Sequence, residues 1–174
     1  VPNLLDSLLA TPVLSRIRRN HGLEHATIHV LSQRYPGTSL VGRSDARGFF
    51  LYSSLPIEPV HEAVSEALDR MRAGEHRLAI HPNCGTNFLT AGLLATIASY
   101  FALFGGRDER WQDRVMRIPF AVVVTSIALI LAQPLGNAAQ QHLTTEGDPG
   151  DLQVEAIIPL HRGRNRLYRV LTSG

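Results

Sequence analysis

The sequence predicts an α+β protein, a small mixed helix and antiparallel-sheet body carried on a two-helix transmembrane hairpin. Three observations predict it. Charge is segregated: no Asp, Glu, Lys or Arg occurs in Pro82 to Gly106 or in Ile118 to Thr145. Neither stretch shows a polar face at helical spacing, which a soluble helix usually has. The segments around them carry the helical and two-residue apolar periods of ordinary helices and strands.

Asn3 to Ala10 reads as a short amphipathic segment. Thr11-Pro12 then offers a capping hydroxyl followed by proline at the first helical position. The helix it opens is expected to run to Arg34 and to close at Pro36-Gly37. Gly22 is a local weakness in it, costing about 1 kcal/mol against alanine. Ser39 to Arg43 and Gly48 to Ser53 read as strands around a turn at Ser44-Asp45-Ala46-Arg47. Pro56 to Arg72 is a helix, with Val60, Val64, Leu68 and Met71 on one stripe, ended by Ala73-Gly74. His76 to Ile80 reads as a third short strand leading into His81.

Phe88 to Phe104, extended by Thr86 and Asn87, and Ile118 to Leu135 come next. At about 1.5 Å per residue each covers most of a ~30 Å hydrocarbon core. The spans are placed at about 87–105 and 118–136, with Pro119 in the first turn of the second and Pro134 near its end. Gly105 to Arg117 reads as a solvent loop with an interfacial aromatic, Trp111. Gly92, Ala95 and Ser99 form a small-residue strip suited to close helix contact. Thr144 to Gly150 is a polar loop. Leu152 to Ile158 and Leu167 to Leu171 form a hairpin across Arg162-Gly163-Arg164-Asn165. The organisation is therefore a body over 1–85, a transmembrane hairpin over 86–140 and a returning strand pair over 141–174 that packs on the body.

Composition bounds the function. All 17 basic residues are arginine, spread among 15 acids for a formal net charge of +2, so no concentrated basic face points to nucleic acid. The single cysteine, Cys84, excludes an intramolecular disulfide and fits a reducing compartment, which favours a cytoplasmic body. Leu4 to Leu9 is not a cleavable signal peptide, because Asp6 interrupts it and Arg16, Arg18 and Arg19 follow rather than precede it. The implied partners are the lipid bilayer and, through the small-residue strip, other membrane proteins or a second copy.

Two motifs carry candidate chemistry. Residues 21 to 29 read HGLEHATIH. On a helix His21, His25 and His29 fall within about 80° of one face, with Glu24 about 60° to the other side of His21. His-x-x-Glu-His is the inverted zinc-protease pattern: two histidines grip Zn²⁺ and the Glu activates a bound water. The second motif is His81-Pro82-Asn83-Cys84-Gly85-Thr86-Asn87. His81 and Cys84 stand three apart at the entry to the first span, and imidazole and thiolate both suit zinc. Together they make His21, His25, His81 and Cys84 the candidate metal ligands and Glu24 the candidate catalytic base. His29 is the weakest candidate ligand, and reads equally as a donor to a ligand or as simply exposed. The opposing reading packs these groups by hydrogen bonds: His21 and His25 on backbone carbonyls, Glu24 on Arg18 or Arg19. Among the other polar residues, His61 and His76 read as solvent-facing, while Asp148 and Asp151 read as turn residues.

The two motifs resemble a group of uncharacterised bacterial membrane proteins that share a His-Gly-x-Glu-His segment and a later His-Pro-x-Cys-Gly-Thr segment before a hydrophobic span. Here these are His21-Gly22-Leu23-Glu24-His25 and His81-Pro82-Asn83-Cys84-Gly85-Thr86. The resemblance covers roughly residues 15–140. Ala26 departs from the lysine that often follows Glu-His in the group. The resemblance implies a membrane protein, in the bacterial inner membrane, with one shared site and no assigned substrate. The resulting expectation is a membrane-anchored zinc protein: either a hydrolase of the peptidase or amidase type, or a non-catalytic subunit with a structural metal or none.

Overall fold

The computed structural model describes residues 4–105, 110–161 and 166–174. It contains two compact units, Val1–His81 with Gln141–Gly174, and Pro82–Gln140.

The first unit is a mixed helix and sheet body. Its elements are α1 (Leu4–Leu9), α2 (Pro12–Arg34), β1 (Leu40–Asp45), β2 (Gly48–Ser53), α3 (Ile57–Arg72), a 3₁₀ turn (His76–Ala79), β3 (Gln153–His161) and β4 (Arg166–Ser173). The four strands form one antiparallel sheet in the order β1-β2-β4-β3. The last strand thus lies between β2 and β3, and the chain leaves the sheet after Ser53 and re-enters it only at Gln153. Alternation decides which face is covered. Phe49 and Leu51 of β2, Tyr168 and Val170 of β4 and Ile157 of β3 point to the helices and join Leu23, Val30 and Leu31 of α2 and the Val60, Val64, Leu68, Met71 stripe of α3 in one core. Polar ties fix the layers. Asn20 of α2 donates to the Asp45 carbonyl (2.9 Å) and accepts from the Thr172 hydroxyl (2.7 Å), and the Tyr168 hydroxyl donates to the Leu55 carbonyl (2.7 Å).

Several boundaries differ from the sequence reading. β1 continues through Ser44 and Asp45, leaving Ala46-Arg47 as a two-residue turn. Gly48, at φ 131°, makes this possible, and Asp45 Oδ1 accepts from the Arg47 amide (2.7 Å). The Thr11 hydroxyl does not cap α2; it donates back to the Leu8 carbonyl (2.7 Å). His76 to Ile80 is not a strand. Gly74, at φ 97°, turns the chain sharply off α3, and i to i+3 bonds from Leu78 to Glu75 and Ile80 to Arg77 wind it into the 3₁₀ turn. β3 and β4 are longer than expected; the turn placed at Arg162–Asn165 lies outside the described residues.

The second unit holds α4 (Gly85–Phe104), α5 (Trp111–Met116) and α6 (Ile118–Ala139), the last running on into a π turn at Gln140–Thr144. Two helical stretches, Gly85–Phe104 and Ile118–Thr144, are long and apolar enough to cross a membrane. Residues 111–116, expected as loop, are helical, with Trp111 exposed. α4 and α6 pair as an antiparallel hairpin. Ser99 and Thr125 hydroxyls meet at 2.8 Å in its middle, and Asn87 meets Asn137 and Gln140 at its polar end, at 3.2 and 2.7 Å. The buried residues of the hairpin are small: Ala102 on α4, and Ala121, Ala132 and Gly136 on α6. Of the expected strip, Ser99 takes part, while Gly92 is exposed with open space beside it. Gly136 is the close-approach glycine: a Cβ there would lie 3.0 Å from Asn87 Cα. Pro134 sits inside α6 rather than at its end, because contacts of Gly136, Asn137 and Gln140 with Asn87 carry the helix onward.

Candidate metal centre

The middle of α2, from Asn20 to Leu31, is almost wholly buried, which is unusual for a segment carrying three histidines and a glutamate. The histidines resolve this cost by hydrogen bonding. His21 Nδ1 lies 2.9 Å from the Thr144 carbonyl, His25 Nδ1 2.6 Å from Ala79 and His29 Nε2 2.9 Å from Ile80. A carbonyl only accepts, so each of these ring nitrogens carries the proton. In the neutral rings the lone pair then falls on Nε2 of His21 and His25 and on Nδ1 of His29. This carbonyl-fixed tautomer is the arrangement that orients metal-binding imidazoles.

The rings form a row. His21 and His25 have centroids 4.3 Å apart, His25 and His81 5.7 Å, and His29 and His81 4.8 Å. The 3₁₀ turn produces this meeting. Its last residue, Ala79, and the following Ile80 give their carbonyls to His25 and His29, which sets His81 beside both rings. Burial lowers the His81 pKa below that of an ordinary imidazole, and the neighbouring His29 lowers it further.

Gly22 explains how the other carbonyl arrives. A Cβ at Gly22 would overlap the Glu146 carbonyl oxygen and lie 3.3 Å from Ala79 Cβ. The bare helix surface lets residues 144–146 approach, where the Glu146 amide donates to the Arg18 carbonyl (3.0 Å) and Thr144 reaches His21. Residues 142–146 are also held by the Arg18 guanidinium, on the carbonyls of Thr145 (3.1 Å) and His142 (3.4 Å).

Glu24 is 4% exposed and His25 3%. The Glu24 side chain lies across Gly42 of β1, where a Cβ would stand 2.6 Å from its Cγ. It therefore sits on the sheet side of α2, while His25 faces the 3₁₀ turn. Of the two arginines that the opposing reading offered to Glu24, Arg18 pairs with Glu146 (3.4 Å) and Arg19 with Asp151 (2.6 Å). Cys84 is the N-cap of α4, in the second unit. His61 and His76 are exposed, and Asp148 is a turn residue whose carboxylate accepts from the Gly150 amide (2.9 Å). Sequence reading missed Gly42, although a glycine inside a strand is a sign of close approach. It missed the three carbonyls, which have no sequence signal.

A family described as a domain of unknown function, DUF6391, matches residues 16–157, which takes in both motifs. The chain belongs to this family. Within DUF6391 the site thus falls inside the matched region, whereas α1 precedes it. An uncharacterized protein of Picosynechococcus sp. strain PCC 7002 is 36% identical over 170 residues, covering 89% of this chain and 79% of that protein. No solved structure matches the chain.

Proposed function

We propose that this DUF6391 chain is a zinc protein anchored in the bacterial inner membrane by α4 and α6, with its body on the cytoplasmic side. The observation that carries the metal is the pair of fixed tautomers: His21 and His25 stand one helical turn apart, each with its Nδ1 proton committed to a backbone carbonyl, which makes Nε2 the ring atom that would bind a metal. His81, beside His25, and Cys84 complete the ligand set. Cys84 follows His81 by three residues, so the backbone alone keeps their α-carbons within about 11 Å. Its place at the N-cap of α4 puts the thiol at the positive end of a helix dipole, which favours the thiolate that zinc needs. The site then lies at the membrane surface. The test is elemental analysis of detergent-purified protein beside His25→Ala and Cys84→Ala. The expected result is about one zinc per chain, lost in both variants. Wild type without stoichiometric metal would overturn the proposal.

Burial of His25 and the seating of Glu24 on the sheet side favour a closed, structural zinc with four protein ligands, in a subunit that works with other membrane proteins or a second copy. A hydrolase of the peptidase or amidase type is the second reading, favoured by a buried carboxylate one residue from His25. In that reading a zinc held by His21 and His25 would polarise a carbonyl, and Glu24 would serve as the general base. Zinc-loaded wild type separates the two, since absence of peptide or amide hydrolysis refutes the hydrolase; where hydrolysis is found, its loss in Glu24→Gln with zinc retained supports Glu24 as the base, and full turnover refutes that role.

A further inference from the structure

α1 has six residues and buries none of them. Isolated helices shorter than about 12–15 residues are marginal in water, so an α1 of this length needs an apolar partner. Its residues are arranged for one. At 100° per residue Leu4, Leu5, Leu8 and Leu9 occupy one arc, with Asp6 and Ser7 opposite. Leu4 is 80% exposed, Leu5 and Leu8 about half, and the first turn of α2 adds Val13 at 61% and Leu14 at 40%. The Thr11 hydroxyl bond to the Leu8 carbonyl ties α1 to α2 across their junction.

What covers this face follows from the attachment of α2. Arg18 holds the carbonyls of His142 and Thr145, the Glu146 amide holds the Arg18 carbonyl, and His21 holds Thr144. These are the residues at and just beyond the end of the second apolar helix, Ile118–Thr144. The second turn of α2 is thereby stapled to the chain where it leaves that helix. The exposed leucines begin within a few residues of the staple and are followed by Arg16, Arg18 and Arg19.

We propose that α1 and the first turn of α2 form an in-plane amphipathic anchor whose occupant is the lipid bilayer, with the leucine face sunk to the headgroup and acyl boundary. The inference rests on the reading of α4 and α6 as membrane spans. The test is tryptophan fluorescence of the full chain in vesicles of phosphatidylcholine and phosphatidylglycerol with brominated acyl chains. In a Trp111→Phe background, Leu5→Trp and Val13→Trp report on the anchor and Leu129→Trp, in α6, on the span. The anchor requires loss of Leu5→Trp and Val13→Trp emission, greatest with bromines near the headgroup, and loss of Leu129→Trp emission, greatest with bromines near the chain end. Quenched Leu129→Trp beside two unquenched anchor reporters would overturn the anchor alone. Blue-shifted but unquenched anchor reporters would overturn it in favour of a protein partner. No quenching at Leu129→Trp would overturn the membrane reading itself.

Discussion

Replacing Gly22 with alanine sets local helix propensity against tertiary contact, and the two make opposite forecasts. By propensity alone the change stabilises α2 by about 1 kcal/mol. In the fold the new methyl overlaps the Glu146 carbonyl oxygen and meets its carbon at 3.2 Å, and the obstacle is backbone rather than a flexible side-chain end. Residues 144–146 must withdraw. That loosens two bonds, Glu146 amide to Arg18 carbonyl and His21 to Thr144 carbonyl, each worth about 1 kcal/mol net. Overpacking adds about 1–3 kcal/mol. With the propensity gain set against these, Gly22→Ala is expected to destabilise the body by roughly 2–4 kcal/mol. The assay is thermal unfolding followed by circular dichroism in detergent, paired with zinc content. Gly22→Ala should melt lower and hold less metal, since His21 loses the carbonyl that fixes its tautomer. A variant that melts at or above wild type would refute the close approach and, with it, the reason given for a glycine inside the motif.

Further expectations concern other parts of the molecule. Gly48→Ala puts a side chain at φ 131° and against the Val170 carbonyl, so it should cost at least about 2 kcal/mol in thermal or urea unfolding. Gly136→Leu should separate α6 from α4, read as loss of a disulfide engineered between the two helices, whereas Gly92→Leu, beside open space, should leave it intact. Burial raises the Asp45 pKa, but the hydrogen bonds from Arg169 and the Arg47 amide and their charges outweigh it and bring it below the ordinary carboxylate value. A carboxylate with a depressed folded pKa contributes stability that is present above the unfolded value of about 4 and is lost as pH falls through the folded one. Asp45 is 45% exposed, so solvent screens the effect and it is small. Arg169→Met should lower the melting temperature at neutral pH and narrow its gap from wild type as the medium is acidified; a constant gap would count against the pair.

The helical period made much of this legible. It placed His21, His25 and His29 on one face of α2, set Val60, Val64, Leu68 and Met71 into the core, and marked both apolar helices by the absence of a polar face. Local punctuation, Thr11-Pro12, Pro36-Gly37 and Ala73-Gly74, bounded the helices to within a residue or two. What stayed hidden depends on contacts between distant residues. Leu78 and Ile80 alternate as a strand would, but the sheet is already completed by β4 and β3, and the segment is wound up against α2 instead. Arg18 and Arg19 lie near Glu24 in sequence, yet Glu146 and Asp151 arrive from the other end of the chain to take them. The carbonyls of Ala79, Ile80 and Thr144, which decide the imidazole tautomers, belong to residues whose side chains say nothing of that task.

The strand order has a consequence for biosynthesis. β2 finds its second neighbour only when β4 is made, and β4 comes after both apolar helices. At about 5–20 residues per second the ribosome takes on the order of ten seconds to cover that gap. Through that interval the growing protein presents Phe49 and Leu51 on an open strand edge, a hazard for pairing with other chains. If α4 and α6 cross a bilayer, as proposed, the two hairpins can join only when both emerge on the same face, which an even number of crossings guarantees and an odd number forbids. Completion of the sheet would then act as a proofreading step on insertion: a chain whose second helix failed to turn back would strand β3 and β4 across the lipid, and its body would never close.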